Sequence, residues 1–85
     1  MTLRETSKFS KLRKKLKDRA EREALKTAVI AVLDDPQSGK KLKGEFGHLR
    51  SYPYSVRGQA RRLIYLLEKD AVVLFSFGPC QGIYK

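Results

Sequence analysis

The sequence predicts an α+β fold: an N-terminal helical hairpin packed on a small, twisted, mostly antiparallel sheet. Three observations carry this expectation. Residues 7–35 place apolar side chains at helical spacing with charge on the opposite face. Residues 48–77 change to strand-like alternation and then to a nearly unbroken β-branched and aromatic run. A polar connection, Pro36 to Gly47, separates the two halves. With 85 residues, the chain suits one domain spanning 1–85, and a domain of this size buries only about 60–65% of the surface its unfolded chain exposes.

Each element follows from its own residues. Leu3, alternating with Arg4 and Glu5, permits an edge strand over residues 1–6. Phe9, Leu12 and Leu16 recur at i, i+3, i+7 and make one stripe of a first helix, with Ser7 as N-cap. Asp18 followed by Glu21 resembles a capping box and opens a second helix, whose apolar face is Leu25, Ala28, Val29, Val32 and Leu33. Pro36 ends it near Asp34, because a residue before proline is pushed out of helical geometry. Leu42 and Phe46 are the apolar tacks of the connection. Tyr52, Tyr54 and Val56 alternate, while Pro53 demotes the middle of that strand to an edge or a bulge. Leu63, Tyr65 and Leu67 share one face of the next strand, and Arg62, Ile64 and Leu66 the other. Glu68-Lys69-Asp70 forms a short hairpin connection to a central strand, Ala71 to Phe77, which Gly78-Pro79 breaks.

Charge narrows the function. Nineteen Lys and Arg stand against nine Asp and Glu, giving a net charge of +10. Such an excess repels itself in the free compact state and suits a polyanion or an acidic protein. Between Phe46 and Leu67 there is no Asp or Glu, yet Arg50, Arg57, Arg61 and Arg62 all lie there. Cys80 is the only cysteine, so no internal disulfide can form, which fits a reducing, cytoplasmic setting. No secretory signal and no membrane-length apolar run is visible. One Cys and one His do not make a tetrahedral zinc site, and no cofactor is expected.

The residues available for chemistry are cations, tyrosines and His48, all between Lys40 and Lys85. There is no Ser-His-Asp set, no hydrolase pair of carboxylates and no Walker loop. This inventory fits cleavage of RNA by its own 2′-hydroxyl. That reaction needs in-line alignment, stabilisation of charge at phosphorus and proton shuttling, but no external nucleophile or metal. Arginine grips phosphate with a two-pronged geometry that lysine lacks. A tyrosine can stack on a base or, with its pKa lowered by cations, move a proton.

Three stretches together resemble a known family. They are Thr6 to Leu16, a basic helix opening on Phe9; Asp35 to Gly44; and Arg62-Leu-Ile-Tyr65 with its following apolar strand and Phe77-Gly-Pro-Cys-Gln-Gly-Ile-Tyr84. In order and spacing they resemble the RelE/ParE superfamily of type II toxin–antitoxin toxins, nearest the RelE-like mRNA interferases. The resemblance implies metal-independent cutting of mRNA on the ribosome, leaving a cyclic phosphate. It also implies silencing by a cognate acidic antitoxin, and operator DNA as a further partner through the toxin–antitoxin complex. No membrane partner is implied.

By this resemblance Arg62 stabilises the transition-state charge and Tyr84 stacks on a base or transfers a proton. Lys40, Lys41 and Lys43 lie near the substrate. Arg50, Arg57 and Arg61 add cations before and within the strand. At Cys80 the family often carries His or Arg, so the sequence departs from the pattern there, and His48 or a lysine such as Lys43 would take over that work. The superfamily also contains ParE-type inhibitors of DNA gyrase that cleave nothing. A gyrase inhibitor and a basic RNA-binding module therefore stand beside the nuclease as alternatives.

Overall fold

The structure, a computed structural model, describes residues 2–79, the side chain of Phe46 excepted. In chain order the elements are β1 (Thr2–Glu5), α1 (Ser7–Lys14), α2 (Arg19–Asp34), β2 (Lys40–Lys41), a 3₁₀ turn at Gly44–Phe46, β3 (Leu49–Val56), β4 (Gln59–Leu67) and β5 (Ala71–Pro79). The strands form one sheet in the order β1-β5-β4-β3-β2. All neighbours are antiparallel except β1, which runs parallel to β5.

Both helices lie on one face of this sheet. Their apolar stripes need a flat partner, and alternate residues of β4 and β5 supply it. The core is Phe9 of α1, Leu25, Ala28 and Val32 of α2, and Leu63, Tyr65, Val72 and Leu74 of the sheet. Phe9 meets Phe77 edge to face, with ring centroids 5.1 Å apart, a geometry that adds about 0.5–1.5 kcal/mol beyond area burial. Rather than zipping tightly together, the helices divide the sheet: α1 packs on β5, and α2 on β3 and β4. A groove opens between them and β1, floored by Phe9, Leu25 and Leu74 and rimmed by Arg13, Arg22 and Lys26. Leu3 and Ile30 beside it are exposed.

Three local expectations change. The N-cap of α1 is Thr6, not Ser7. Thr6 is extended, and its hydroxyl accepts from the Phe9 amide at 3.1 Å and donates to the Phe75 carbonyl at 3.1 Å. Asp18 does occupy the N-cap of α2 but makes no capping bond. Its carboxylate forms a charge-assisted fork with the guanidinium of Arg57, and the nearby amides of Ala20 and Glu21 hold its pKa down to a lesser degree. Finally, β5 runs through Gly78 to Pro79, because β4 is long enough to pair with both, Arg62 with Gly78 and Arg61 with Pro79. β1 has already ended opposite Leu74, so Pro79 lies at a free sheet edge where proline is tolerated.

Pro53 is accommodated in the same way. It pairs with Arg62 of β4, while β2 reaches only as far as Ser51 and leaves Pro53 on an edge. The turn from β3 to β4 has two residues, Arg57 and Gly58, with φ of 52° and 79°. Two positive φ values are what a type I′ hairpin turn demands. Arg57 is the one described non-glycine residue with positive φ, and its ion pair with Asp18 helps to hold it there.

Candidate nucleic-acid interface

Paired residues on neighbouring strands point to the same side of a sheet. The register therefore sorts the basic side chains by face. Arg61 pairs with Tyr54 and Leu63 with Tyr52 and Phe77, on the helix side. Arg62 pairs with Pro53 and Gly78, on the side away from the helices. One rung further, Lys40, Ser51, Ile64 and Ser76 lie in register on that same side.

The three arginines that sequence places in one basic run therefore do different work. Arg57 closes a two-pronged pair with Asp18, at 2.6 and 2.9 Å, pinning the start of α2 to the β3–β4 turn. The pairing holds the Asp18 carboxyl below its ordinary range and raises the Arg57 guanidinium. Arg61 donates to Glu21 at 3.0 Å, in a half-buried pair under the same end of α2. Arg62 alone of the three meets no carboxylate among the described residues. Its guanidinium lies half-buried and donates at 2.9 Å to the hydroxyl of Ser51, which is fully buried. Among the described residues, one bond to a neutral hydroxyl leaves most of its donors and all of its charge unmatched.

Arg50 turns to the helix side, where its Nη1 donates to the carbonyls of Gly39 at 2.8 Å and Gln37 at 3.3 Å. Tyr65, completely buried, donates from its hydroxyl to the Pro36 carbonyl at 2.7 Å and accepts from the Gly39 amide at 2.9 Å. These two side chains from β3 and β4 fasten the segment that leads into β2. Gly39 is required by this contact, since a Cβ there would fall 2.3 Å from the Tyr65 hydroxyl.

The tyrosines expected to lie near the cations are core residues where described. Tyr52 and Tyr54 pack against the helix-side cluster. Burial pushes the Tyr54 phenol up to about 12, outweighing the opposing pull of Arg61. Burial also raises the Tyr65 phenol. Both remain protonated near neutrality. Lys40 and Lys41 form β2, and Lys43 precedes the 3₁₀ turn; all three are exposed. Lys40 shares the Arg62 face, and Lys41, opposite Arg50, takes the other. His48 is exposed in the turn before β3. Cys80 and Tyr84 lie outside the described residues. The structure thus brings Lys40 to the Arg62 face and separates Arg50, Arg57 and Arg61 from it. The acids that engage two of those arginines come from residues about 40 positions earlier, so no local reading of the basic run could show them. Ser51 was missed too, because β3 also carries Arg50 and Ser55 and nothing local singles out one of its two serines.

The same architecture, a two-helix layer on one face of a sheet, recurs in solved toxin structures. The toxin of the intact E. coli RelBE toxin–antitoxin complex superposes with a TM-score of 0.73 at 22% identity, covering 94% of this chain and 96% of that one. The isolated E. coli RelE toxin gives 0.73 at 25% identity, over 94% and 84%. An arginine-to-alanine double mutant of that toxin in the free state gives 0.70 at 25%, over 94% and 83%. A family model described as the ParE-like toxin of type II bacterial toxin–antitoxin systems matches residues 3–85, and the chain belongs to that family. No curated protein sequence matches it.

Proposed function

We propose that this toxin is a metal-independent endoribonuclease that cleaves mRNA on the ribosome, with Arg62 as the residue that stabilises charge at phosphorus. The observation that carries the reading is the unmatched guanidinium of Arg62. It stands on the sheet face away from the helices with Ser51 as its one partner among the described residues, and Lys40 lies on the same side. The likeness to the RelE toxin supports the same reaction.

In this reaction the 2′-oxygen attacks the adjacent phosphorus in line, and the bond to the 5′-oxygen of the next nucleotide breaks. The products are a 2′,3′-cyclic phosphate and a free 5′-hydroxyl. One proton leaves the 2′-hydroxyl and one reaches the departing 5′-oxygen, so the step balances without a further reactant. Arg62 grips the non-bridging oxygens as their charge grows, a role that a preorganised cation performs without rearranging during the reaction. Gly78, across from Arg62 in register, carries no side chain to crowd a phosphate. Lys40 adds a second cation along the RNA backbone. His48, Lys43 and Tyr84 are the candidates for moving the two protons, and Cys80 occupies the position where relatives often carry His or Arg.

The partner of the free toxin is an acidic antitoxin. Its apolar helix face fits the groove between α1, α2 and β1, where exposed Leu3 and Ile30 are rimmed by cations. The ParE-like family match supports a second reading, binding and inhibition of DNA gyrase without cleavage. Primer extension on translated mRNA separates the two. New 5′ ends with wild type that disappear with Arg62→Ala support the nuclease. No new ends, together with inhibition of gyrase supercoiling by the purified protein, support the binder.

A further inference from the structure

We infer that Tyr65 and Arg50 are positioning residues for the Arg62 face: from the helix side of the sheet they hold Lys40 in place on the opposite side. The inference rests on the proposed phosphate-binding role of that face and adds the device that keeps it assembled.

β2 consists of two residues. A strand this short, at the edge of a sheet, has little ladder of its own to fix its register. Beyond the ladder, the Leu42 amide donates to the Leu49 carbonyl at 3.1 Å on its far side, and the segment just before it supplies the side-chain hold. Pro36, Gln37 and Gly39 each give a backbone group to a side chain from the sheet. The Tyr65 hydroxyl takes the Pro36 carbonyl and the Gly39 amide, and the Arg50 guanidinium takes the carbonyls of Gln37 and Gly39. The four bonds span 2.7–3.3 Å. Lys40 follows Gly39 directly and lies opposite Ser51, the residue that Arg62 holds. The Tyr65 ring is locked in the core beside Leu63 and Val72, so its hydroxyl is a fixed point. Gly39 completes the fit, because any side chain there would drive the segment off the ring. One rigid aromatic thus sets where Lys40 stands relative to Arg62, although it touches neither.

The test measures binding of a single-stranded RNA dodecamer with every 2′-hydroxyl methylated, by fluorescence anisotropy across a salt series. Each phosphate contact to a single strand contributes about 0.7 to the slope of log affinity against log salt. Lys40→Ala is expected to reduce the slope by about 0.7. Tyr65→Phe, which keeps the ring and loses only the hydroxyl, is expected to reduce it by a similar amount. In the Lys40→Ala background, Tyr65→Phe is expected to leave the slope unchanged. A purely structural role would not couple to one lysine in this way. Should Tyr65→Phe unfold at the assay temperature, Arg50→Met carries the test, since it releases the same segment from the other strand. An unchanged slope in Tyr65→Phe, or an equal further loss in the Lys40→Ala background, overturns the inference. If Lys40→Ala and Arg62→Ala both leave binding unchanged, the phosphate-binding reading fails and takes the inference with it.

Discussion

Gly39→Ala is the sharpest test of how this fold is held together. An ideal Cβ at residue 39 would lie 2.3 Å from the Tyr65 hydroxyl, 2.7 Å from Cε1 and 2.8 Å from Cζ. Ordinary van der Waals separation begins near 3.4 Å, so ring and segment must part by about 1 Å. The ring is fully buried among Leu63, Val32 and Val72 and has little room to move. The segment therefore moves, and both hydrogen bonds of the hydroxyl break with it. Forcing a methyl into a packed site costs about 1–3 kcal/mol, and each lost bond adds about 1 kcal/mol. The sum is about 3–5 kcal/mol. In a domain of this size that lowers the melting temperature by roughly 12–40 °C. Urea denaturation followed by circular dichroism measures it. Combining Gly39→Ala with Tyr65→Phe removes the nearest atom but leaves the two ring carbons, and both single variants lose the same two hydrogen bonds, so the double variant should cost less than the sum of its parts by about 2 kcal/mol. A Gly39→Ala protein within about 0.5 kcal/mol of wild type would refute the reasoning, because a surface substitution free of such contacts behaves in that way.

Other outcomes follow from the same geometry. Thr6→Ala removes the cap of α1 and its tie to β5 and should cost about 1 kcal/mol in urea denaturation. Arg61→Ala and Arg62→Ala should separate: the first lowers stability by about 1 kcal/mol through the lost Glu21 pair with little change in RNA affinity, and the second does the reverse. The Asp18 and Glu5 carboxyls, held down by Arg57 and Arg13, should titrate by NMR below the ordinary values of 3.8 and 4.5. A carboxylate with a depressed folded pKa stabilises the fold above its unfolded pKa and loses that contribution as pH falls. Stability should accordingly drop with acidification below pH 4.5, and Arg57→Ala should return the Asp18 titration toward 3.8.

Much of the fold was legible in the sequence because period carries it. The apolar spacing of Leu25, Ala28 and Val32 and the alternation through Leu63 and Tyr65 each specify one buried face, and those faces meet in the core. The edge strand at Thr2–Glu5 was legible from Leu3 and its polar flanks. Capping was less so. Asp18 also engages Arg57, a residue 39 positions away, and no local pattern reveals such a partner. The same holds for the basic run from Arg57 to Arg62. Absence of acids along the chain says nothing of acids across the fold, and Asp18 and Glu21 convert Arg57 and Arg61 into braces for α2. Arg62 escapes because strand geometry turns it away from its neighbour Arg61. Period two was visible in the sequence; which face the helices would cover was the missing half of the inference.

If Arg62 and Lys40 stand on the face that meets RNA, an NMR titration of labelled protein with a single-stranded RNA carrying 2′-deoxy substitutions, which block cleavage, should reveal it. The largest amide and guanidinium shifts are expected at Lys40, Ser51, Arg62 and Gly78, and are expected to be lost in Arg62→Ala. Shifts confined to α1 and α2, unchanged by Arg62→Ala, would contradict it.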